Sequence, residues 1–209
     1  MTDATSTRPS TRRPRRAQVR ADVLDAAREA FLTHGYATCS VNDIAAEAGF
    51  TKGAVYSNFG GKPGLFAEVF QRDFGRATAQ LVADLLDGTG LRDRAQLPDV
   101  AAGRLADLVI RQAPLQVAVG EFCSLAHSSP EVAETYAAMR ADQLDLVADA
   151  LHRQRLLGDG QDLADHREAA VLLLAVLSSL SLEHRAAPEL YPRAVLIAAL
   201  TRFLAGLLP

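Results

Sequence analysis

The chain has 209 residues, which is enough for one large domain or for a small domain beside a larger one. Hydrophobic residues make up 49% of it, so a sizeable core can form, and this argues against disorder of the whole chain. The formal net charge is −3, which argues against indiscriminate binding of nucleic acid.

The charge is unevenly distributed. Residues 1–20 contain six arginines against one aspartate and carry +5, which leaves −8 for the remainder. Residues 1–15 combine Thr, Ser, Pro and Arg without periodicity and are predicted to form a disordered basic arm. A basic arm on an acidic body indicates contact with a polyanion, and a solvated tail without function is the alternative.

The next segment has the periodicity of three short helices. Apolar residues recur at helical spacing over 16–34, and Gly35 then provides a stop. Ser40 is followed three residues later by Asp43, which is typical of a helix N-cap, and this predicts a second helix over about 41–48. A third helix is predicted from Thr51 to Phe59.

The spacing within these helices is that of a helix-turn-helix. Ala45 is small enough to lie where two helices cross, and Gly49 can adopt the left-handed conformation of the turn. Val55 would then fill the gap between the helices. The third helix cannot bury its polar residues, so it presents Lys52 and Tyr56 outward, as a helix that enters the DNA major groove does.

Helices are also predicted for the remainder. A fourth begins near Pro63 and continues to about 86, followed by a loop over 87–98 and helices over 99–112, 115–128, 130–156, 162–186 and 190–208. Strand alternation is absent from the sequence, so the predicted fold is all-α. The expected division is a basic arm over 1–15, a helix-turn-helix DNA-binding domain over 16–60 and a helical-bundle domain, the body, over 61–209.

Cysteine use and hydropathy favour a cytoplasmic protein. Cys39 and Cys123 lie far apart without a CxxC motif, so neither a disulfide framework nor a thiolate metal site is expected. The basic N-terminus is followed by a helix with acidic residues rather than by an apolar segment, so no signal peptide is predicted. The apolar run over 170–182 is shorter than the roughly 20 residues of a membrane span and is predicted to be a buried helix.

Residues 35–70, with "SVNDIAAEAG", "TKGAVYSNF" and "GK..LF" in order, resemble the DNA-binding region of the TetR family of bacterial transcriptional regulators. The resemblance covers about 17–70. It departs from the family at Asn58, where histidine or tyrosine is common, and at Pro63, where glutamate is common. It implies a homodimer that recognises a pseudo-palindromic operator and is released by a small-molecule effector held in the body, with no cofactor or metal.

Site residues follow from the helix positions and from this resemblance. The predicted DNA contacts are Arg12, Arg13, Arg15, Arg16, Thr38, Ser40, Thr51, Lys52, Gly53, Ala54, Tyr56, Ser57, Asn58 and Lys62. The predicted effector-binding residues are Phe122, Cys123, His127, Tyr136 and Met139, for which core packing is an equally good explanation. The predicted dimer contacts are Leu173, Leu177, Leu180, Leu196, Leu200 and Phe203.

Three alternatives remain open at this point. Cys123 and His127 are four residues apart on one helix, a spacing that suits a thiolate pair in a small enzyme or half of a metal site. Cys39 lies close to the DNA-facing helices and could serve as a redox switch. The third alternative is an architectural DNA-binding protein without a ligand.

Overall fold

The computed structural model describes residues 16–87, 97–153 and 163–207, and all regular structure in these ranges is helical. The predicted all-α fold is confirmed. Arg12, Arg13 and Arg15 lie outside the described residues, as does most of the predicted loop over 87–98. The helices are α1 (Arg16–Thr38), α2 (Val41–Glu47), α3 (Lys52–Phe59), α4 (Lys62–Phe70), a π-helical turn (Gln71–Gly75), α5 (Arg76–Asp87), α6 (Leu97–Leu125), α7 (Pro130–Arg153), α8 (Leu163–Ala186) and α9 (Arg193–Leu207).

The head, formed by α1, α2 and α3, has the helix-turn-helix geometry that the sequence predicts. Ala45 and Val55 are 1% and 0% exposed, so the helices cross at a small residue and enclose the valine between them. Gly49 has φ 75°, and the amide of the following Phe50 donates to the carbonyl of Ala45 at 2.8 Å. The turn therefore requires the left-handed conformation that glycine adopts without a steric penalty.

A single helical rod connects the head to the body. We call residues 62–87 the linker helix, because α4, the π-turn and α5 follow one another without leaving helical geometry. The predicted continuation of this helix is confirmed, but its π-turn was not predicted. The π-turn is bound on two sides: Asp73 pairs with Arg28 of α1, and Gln71 donates to Asp142 of α7 at 3.1 Å.

The body contains a second hydrophobic core. It is formed by apolar residues of α5, α6, α7, α8 and α9. The predicted break at Pro114 is wrong, because α6 runs through the proline as one helix. A proline in a helix interior costs about 3 kcal/mol, but Ala113 and Leu115 beside it are almost fully buried. Packing on both sides therefore holds the helix together where local propensity would end it.

An aromatic cluster joins the head to the body. Tyr36 of α1 lies between Phe66 of α4 and Phe122 of α6, with ring centroids 5.0 and 4.7 Å away. Phe31 and Tyr136 extend the cluster towards α1 and α7. Burial, with a smaller contribution from Glu131, raises the pKa of Tyr36 to about 12. The core of the head is thus continuous with the ends of α6 and α7.

A hydrogen bond beside this cluster fixes the end of α1. Gly35 interrupts the helix with φ 78°, and the amide of Ala37 then donates to the carboxylate of Glu121 on α6 at 2.8 Å. A Cβ atom on Gly35 would lie 2.7 Å from both carboxylate oxygens of Glu121. The position therefore disfavours a side chain because of its conformation, and an added Cβ would also displace the Glu121 carboxylate that holds Ala37.

We predict that Gly35→Ala lowers the free energy of unfolding by about 2–4 kcal/mol, because it combines left-handed strain with displacement of a charged acceptor. Urea unfolding at a fixed protein concentration measures the change. Gly103→Ala is the matched control: no neighbouring atom lies within 4 Å of its added Cβ, so stability should rise by up to about 1 kcal/mol. Equal effects of the two substitutions would contradict the prediction.

Candidate nucleic-acid interface and effector clefts

Helix α3 divides sharply into a buried and an exposed face. Val55 and Phe59 are 0% and 8% exposed and pack into the head, whereas Tyr56 is 49% exposed. Lys52, Gly53 and Ser57 are exposed on the same outer side, and the Lys52 ammonium lies 5.6 Å from the Tyr56 ring centroid. The outward presentation expected from the sequence is present, and DNA contact by these residues stays a prediction.

Asn58, one of the departures from the family pattern, is tied into the head. Its amide nitrogen donates to the Ala54 carbonyl at 2.7 Å, and its amide oxygen accepts from Arg16 Nε at 3.2 Å. The Ser57 hydroxyl also donates to the Ala54 carbonyl, at 3.1 Å. Asn58 therefore links Arg16, the first residue of α1, to α3, and this link holds the Arg16 guanidinium near the exposed face of α3.

Ser40 and Thr51 occupy the N-cap positions of α2 and α3 but differ in what their side chains do. The Ser40 hydroxyl accepts from the Asp43 amide at 3.1 Å and donates to the Asp43 carboxylate at 2.6 Å, so it caps α2. Thr51 occupies the corresponding position before α3 but makes no capping hydrogen bond with its side chain. Its exposed hydroxyl, like that of Thr38 at the end of α1, is available for a phosphate.

Lys62 is directed towards the protein. Its ammonium lies 4.3 Å from the Tyr36 ring centroid and 3.4 Å from the Ala37 carbonyl oxygen. Burial lowers the pKa of this lysine, while the nearby Cys39 and Glu121 act in the opposite direction. Lys62 thus binds the same short segment of α1 that Glu121 holds from the body, and its predicted phosphate contact stays a prediction.

Two clefts flank the linker helix. The first cleft, of about 800 Å³, lies between α7 and the α3–α4 side of the linker helix; its lining includes Glu68, Asp142, Asp145 and Asp149. The second cleft, of about 720 Å³, lies between α1, the π-turn, α5 and α6, and its lining includes Arg28, Asp73, Arg111 and Gln112. Both have the size of small-molecule sites.

The sequence comparison identifies the head. Residues 23–69 match the family model for bacterial regulatory proteins of the tetR family, and this stretch contains the helix-turn-helix just described. Residues 23–69 belong to the TetR family. The chain is therefore a DNA-binding transcriptional regulator, as the sequence indicated. A comparison with curated proteins found no significant match.

Solved structures of other transcriptional regulators share the fold over nearly the whole chain. SmeT, the repressor of the multidrug efflux pump SmeDEF of Stenotrophomonas maltophilia, is 26% identical with a TM-score of 0.56; the match covers 90% of this chain and 88% of SmeT. A SmeT–triclosan complex is 27% identical, with a TM-score of 0.57 and coverage of 88% and 89%. A transcriptional regulator from Rhodococcus is 27% identical, with a TM-score of 0.59 and coverage of 93% and 96%.

Membership of this family settles the enzyme alternative, because TetR-family regulators are not enzymes. The geometry around the cysteine agrees with this. Burial, and after it the neighbouring Cys123 thiol, raises the pKa of Tyr136, and His127 is exposed with Nδ1 3.3 Å from the Ser124 carbonyl oxygen. Within residues 16–87, 97–153 and 163–207, no cluster of three or more His, Cys, Asp or Glu residues could hold a metal ion.

The redox alternative gains no support from the surroundings of Cys39. Its thiol donates to the Ala30 carbonyl at 3.2 Å and is half-buried. Burial raises the pKa of this thiol, and this outweighs the opposing effect of Lys62. A thiol with a raised pKa is less often the reactive thiolate at neutral pH.

The predicted dimer residues need correction. Leu173, Leu177, Leu196 and Leu200 are at most 7% exposed and belong to the core of the chain itself, so they offer almost no surface to a second copy. The reason for the error is that α8 has apolar residues on both faces. Leu180 and Phe203 are half-buried, and their part in a dimer stays a prediction.

The predicted effector residues do not form one site. Phe122 is 0% exposed within the aromatic cluster, and Cys123 and Tyr136 pack beside it, half-buried. His127 is exposed, and only Met139 of the five lines the first cleft. Phe122 is therefore a core residue of the joint between head and body.

The caps generate a matched test. We predict that Ser40→Ala lowers the free energy of unfolding by about 1 kcal/mol, because the α2 cap is lost. Thr51→Ala should change stability by less than about 0.5 kcal/mol, since no capping bond is removed, although it should weaken DNA binding. Urea unfolding of both variants decides the point, and an equal loss of stability in Thr51→Ala would refute the difference.

Proposed function

We propose that this TetR-family regulator is a repressor that binds a pseudo-palindromic operator as a homodimer and leaves it when a small molecule binds. The observation that carries the proposal is the exposed face of α3, with Lys52 and Tyr56, on a head that continues into the linker helix. Repression and ligand binding are supported by the related SmeT, which is described as a repressor and was solved with triclosan. Because operator DNA lies in the cytoplasm of a bacterium, we infer that a protein with this function acts there.

DNA recognition by this head favours a dimer on physical grounds. One short helix contacts a few base edges, and each good bidentate contact discriminates by about 1–3 kcal/mol. Two heads about 34–36 Å apart would contact successive major-groove segments and double this discrimination. A two-fold axis in the protein then matches the symmetry of a pseudo-palindromic site.

The outer face of α8 is the surface that would pair. Residues 164–186 are long and apolar enough to cross a membrane, by length and composition alone. Only 33% of the most apolar 18-residue stretch of this helix is buried within the chain, so much of its apolar surface is uncovered. Val171, Leu172 and Leu182 are 48%, 52% and 39% exposed along one side of α8, and Val195 of α9 is 45% exposed. Pairing of α8 and α9 with their copies would form a four-helix bundle and cover these side chains.

The linker helix supplies the coupling between ligand and DNA. Its first half packs in the head and its second half packs in the core of the body, so a change of its tilt changes the spacing of the two recognition helices. A ligand that binds one tilt more tightly shifts operator affinity by that difference in free energy and by no more.

We predict that Lys52→Ala weakens operator binding and lowers the slope of log affinity against log salt by about one unit per head, because one phosphate contact is lost. Fluorescence anisotropy with a duplex from upstream of the gene for this protein, beside a scrambled duplex, measures both quantities. Arg104→Ala, which removes an exposed positive charge from α6 of the body, should leave the slope unchanged. Identical slopes for wild type and Lys52→Ala would show that α3 does not contact the backbone.

We also predict that Leu172→Glu weakens dimerisation at least tenfold, because the substitution places an unpaired charge in the proposed α8 contact. Light scattering coupled to size-exclusion chromatography over a dilution series reports the dissociation. Leu125→Glu, at a leucine of α6 that is 38% exposed, is the control and should leave the dimer intact. A dimer that persists in the α8 variant would place the interface elsewhere.

A further inference from the structure

We propose that the second cleft binds a small apolar molecule that carries a carboxylate, and that this binding loosens the contact between α1 of the head and the π-turn of the linker helix. The regulatory half of the proposal rests on the proposed function, whereas the binding half stands on the cleft alone. The cleft has a volume of about 720 Å³. Its walls come from α1, the π-turn, α5 and α6, so an occupant contacts the head and the body at once.

The interior of the second cleft offers an apolar wall. Leu32 of α1, Phe74 of the π-turn, Leu81 of α5 and Leu108 and Leu115 of α6 line it. Phe74, Leu108 and Leu115 are each 4% exposed, so they form a fixed wall, and Leu32 and Leu81 are half-buried. Such a wall favours the burial of an apolar body, and the polar groups then decide which head group is accepted.

A buried donor without a partner is part of this cleft. Gln112 is 9% exposed, and its Nε2 atom has no hydrogen-bond partner among the residues that the structure describes. A buried polar group left unpaired costs about 1–3 kcal/mol, so a ligand that supplies an acceptor recovers this cost. The amide thus favours a ligand with a carbonyl or carboxylate oxygen.

Two arginines and two aspartates line the cleft, so their pairing decides which charge is open to a ligand. Asp73 is bound by Arg28 and by Arg72, whereas Asp84 accepts a hydrogen bond from the neutral Gln80 at 2.7 Å and keeps its charge. Arg111 is exposed and forms no ion pair within residues 16–87, 97–153 and 163–207. The nearby Asp107 is engaged by Arg193 through two hydrogen bonds of 2.7 and 3.1 Å. Arg111 and Gln112 both line the cleft. The hydrogen bond from Arg193 lowers the pKa of the Asp107 carboxyl, and Arg111 lies near enough to lower it further. A guanidinium that forms no ion pair and an amide donor that lacks a partner, both among the described residues, suit the two oxygens of a carboxylate.

Occupation of this cleft would act on the contacts between the head and the linker helix. Arg28 of α1 lines the cleft and is paired with Asp73 of the π-turn. A carboxylate in the cleft competes with Asp73 for this guanidinium. The competition weakens one of the two ion pairs between α1 and the π-turn, the other being that of Arg72 with Asp25 at 2.7 Å. Ligand binding therefore favours head orientations in which α1 is less tightly held.

The first cleft has the opposite character and serves as an internal control. Its lining includes four carboxylates and one guanidinium, Arg76. Glu68 and Asp145 are paired with Arg20 and Arg167. This leaves Asp142 and Asp149 against Arg76, so this cleft would attract a cation rather than an anion. The two clefts therefore predict opposite preferences for molecules that share one apolar body and differ only in the charge of the head group.

Isothermal titration calorimetry of the full chain with phenylbutanoate, phenylbutylamine and phenylbutanol tests the binding half. The phenylbutanoate anion should bind with a stoichiometry of one per chain and at least tenfold more tightly than the amine or the alcohol. Arg111→Gln should weaken this binding at least fivefold, and Arg111→Glu should abolish it. Gln112→Leu should also weaken it while the fold is kept, because an apolar residue replaces a buried amide that lacks a partner.

Asp149→Asn, in the first cleft, is the matched control and should change phenylbutanoate affinity by less than twofold. The proposal is overturned if the amine binds as tightly as the carboxylate, or if Arg111→Gln binds phenylbutanoate as the wild type does. Loss of carboxylate binding in Asp149→Asn would equally overturn it, because the ligand would then occupy the first cleft.

A separate anisotropy titration with operator duplex tests the regulatory half. Phenylbutanoate should lower operator affinity in the wild type and not in Arg111→Gln. Calorimetric binding with unchanged operator affinity would overturn the regulatory half and leave the site established. A protein that binds no operator even without phenylbutanoate would refute the proposed function, while calorimetry would still decide on the site.

Discussion

The packing of Tyr36 between head and body is the constraint on which the rest of the structure depends. Its ring contacts Phe66 of the linker helix and Phe122 of α6, while Lys62 and Glu121 bind the backbone of the next residue, Ala37. The end of α1 is therefore held by contacts with both the linker helix and the body. Because close-packed aromatic rings tolerate little deformation, the head and the first half of the linker helix are expected to move as one unit.

This arrangement assigns different tasks to the two halves of the linker helix. Its first half shares a core with α1, α2 and α3, whereas α5 contributes Val82 to the core of the body. The π-turn lies between these two cores and is held by side chains rather than by apolar packing alone, through Asp73 and Gln71. Polar contacts are more readily exchanged for a ligand or for water than a packed core, so the polar segment is the natural place for adjustment.

Much of the fold follows from local pattern. The helices of the head were predictable because Ser40, Gly49 and Gly35 are helix boundaries for stereochemical reasons that the sequence shows directly. The exposed face of α3 was predictable because its polar residues have no place in a core. The course of α6 through Pro114 was not, since tertiary burial overcomes a local preference that is all a sequence displays.

The clefts and the dimer surface lay beyond prediction for a related reason. A leucine stripe has the same spacing whether it faces its own core or a second copy, so Leu173 and Leu172 could not be told apart before their burial was known. Arg28, Asp73 and Gln112 come from three separate helical segments, and no spacing connects them. The one sequence signal was the adjacent pair Arg111 and Gln112, which lies between the apolar runs 108–110 and 113–115 of α6.

The π-turn has a consequence for how the chain tolerates a change of length. A π-helical turn contains one more residue than an α-helical turn, and each residue of an α-helix advances the helix by about 100°. The π-turn at 71–75 absorbs this extra residue. The apolar faces of α4 and α5 therefore keep the relative orientation that they would have in an uninterrupted α-helix one residue shorter. Removal of one residue from this turn would convert it to α-helix and leave both cores in register, whereas the same deletion within α4 or α5 would rotate one core away from its partners.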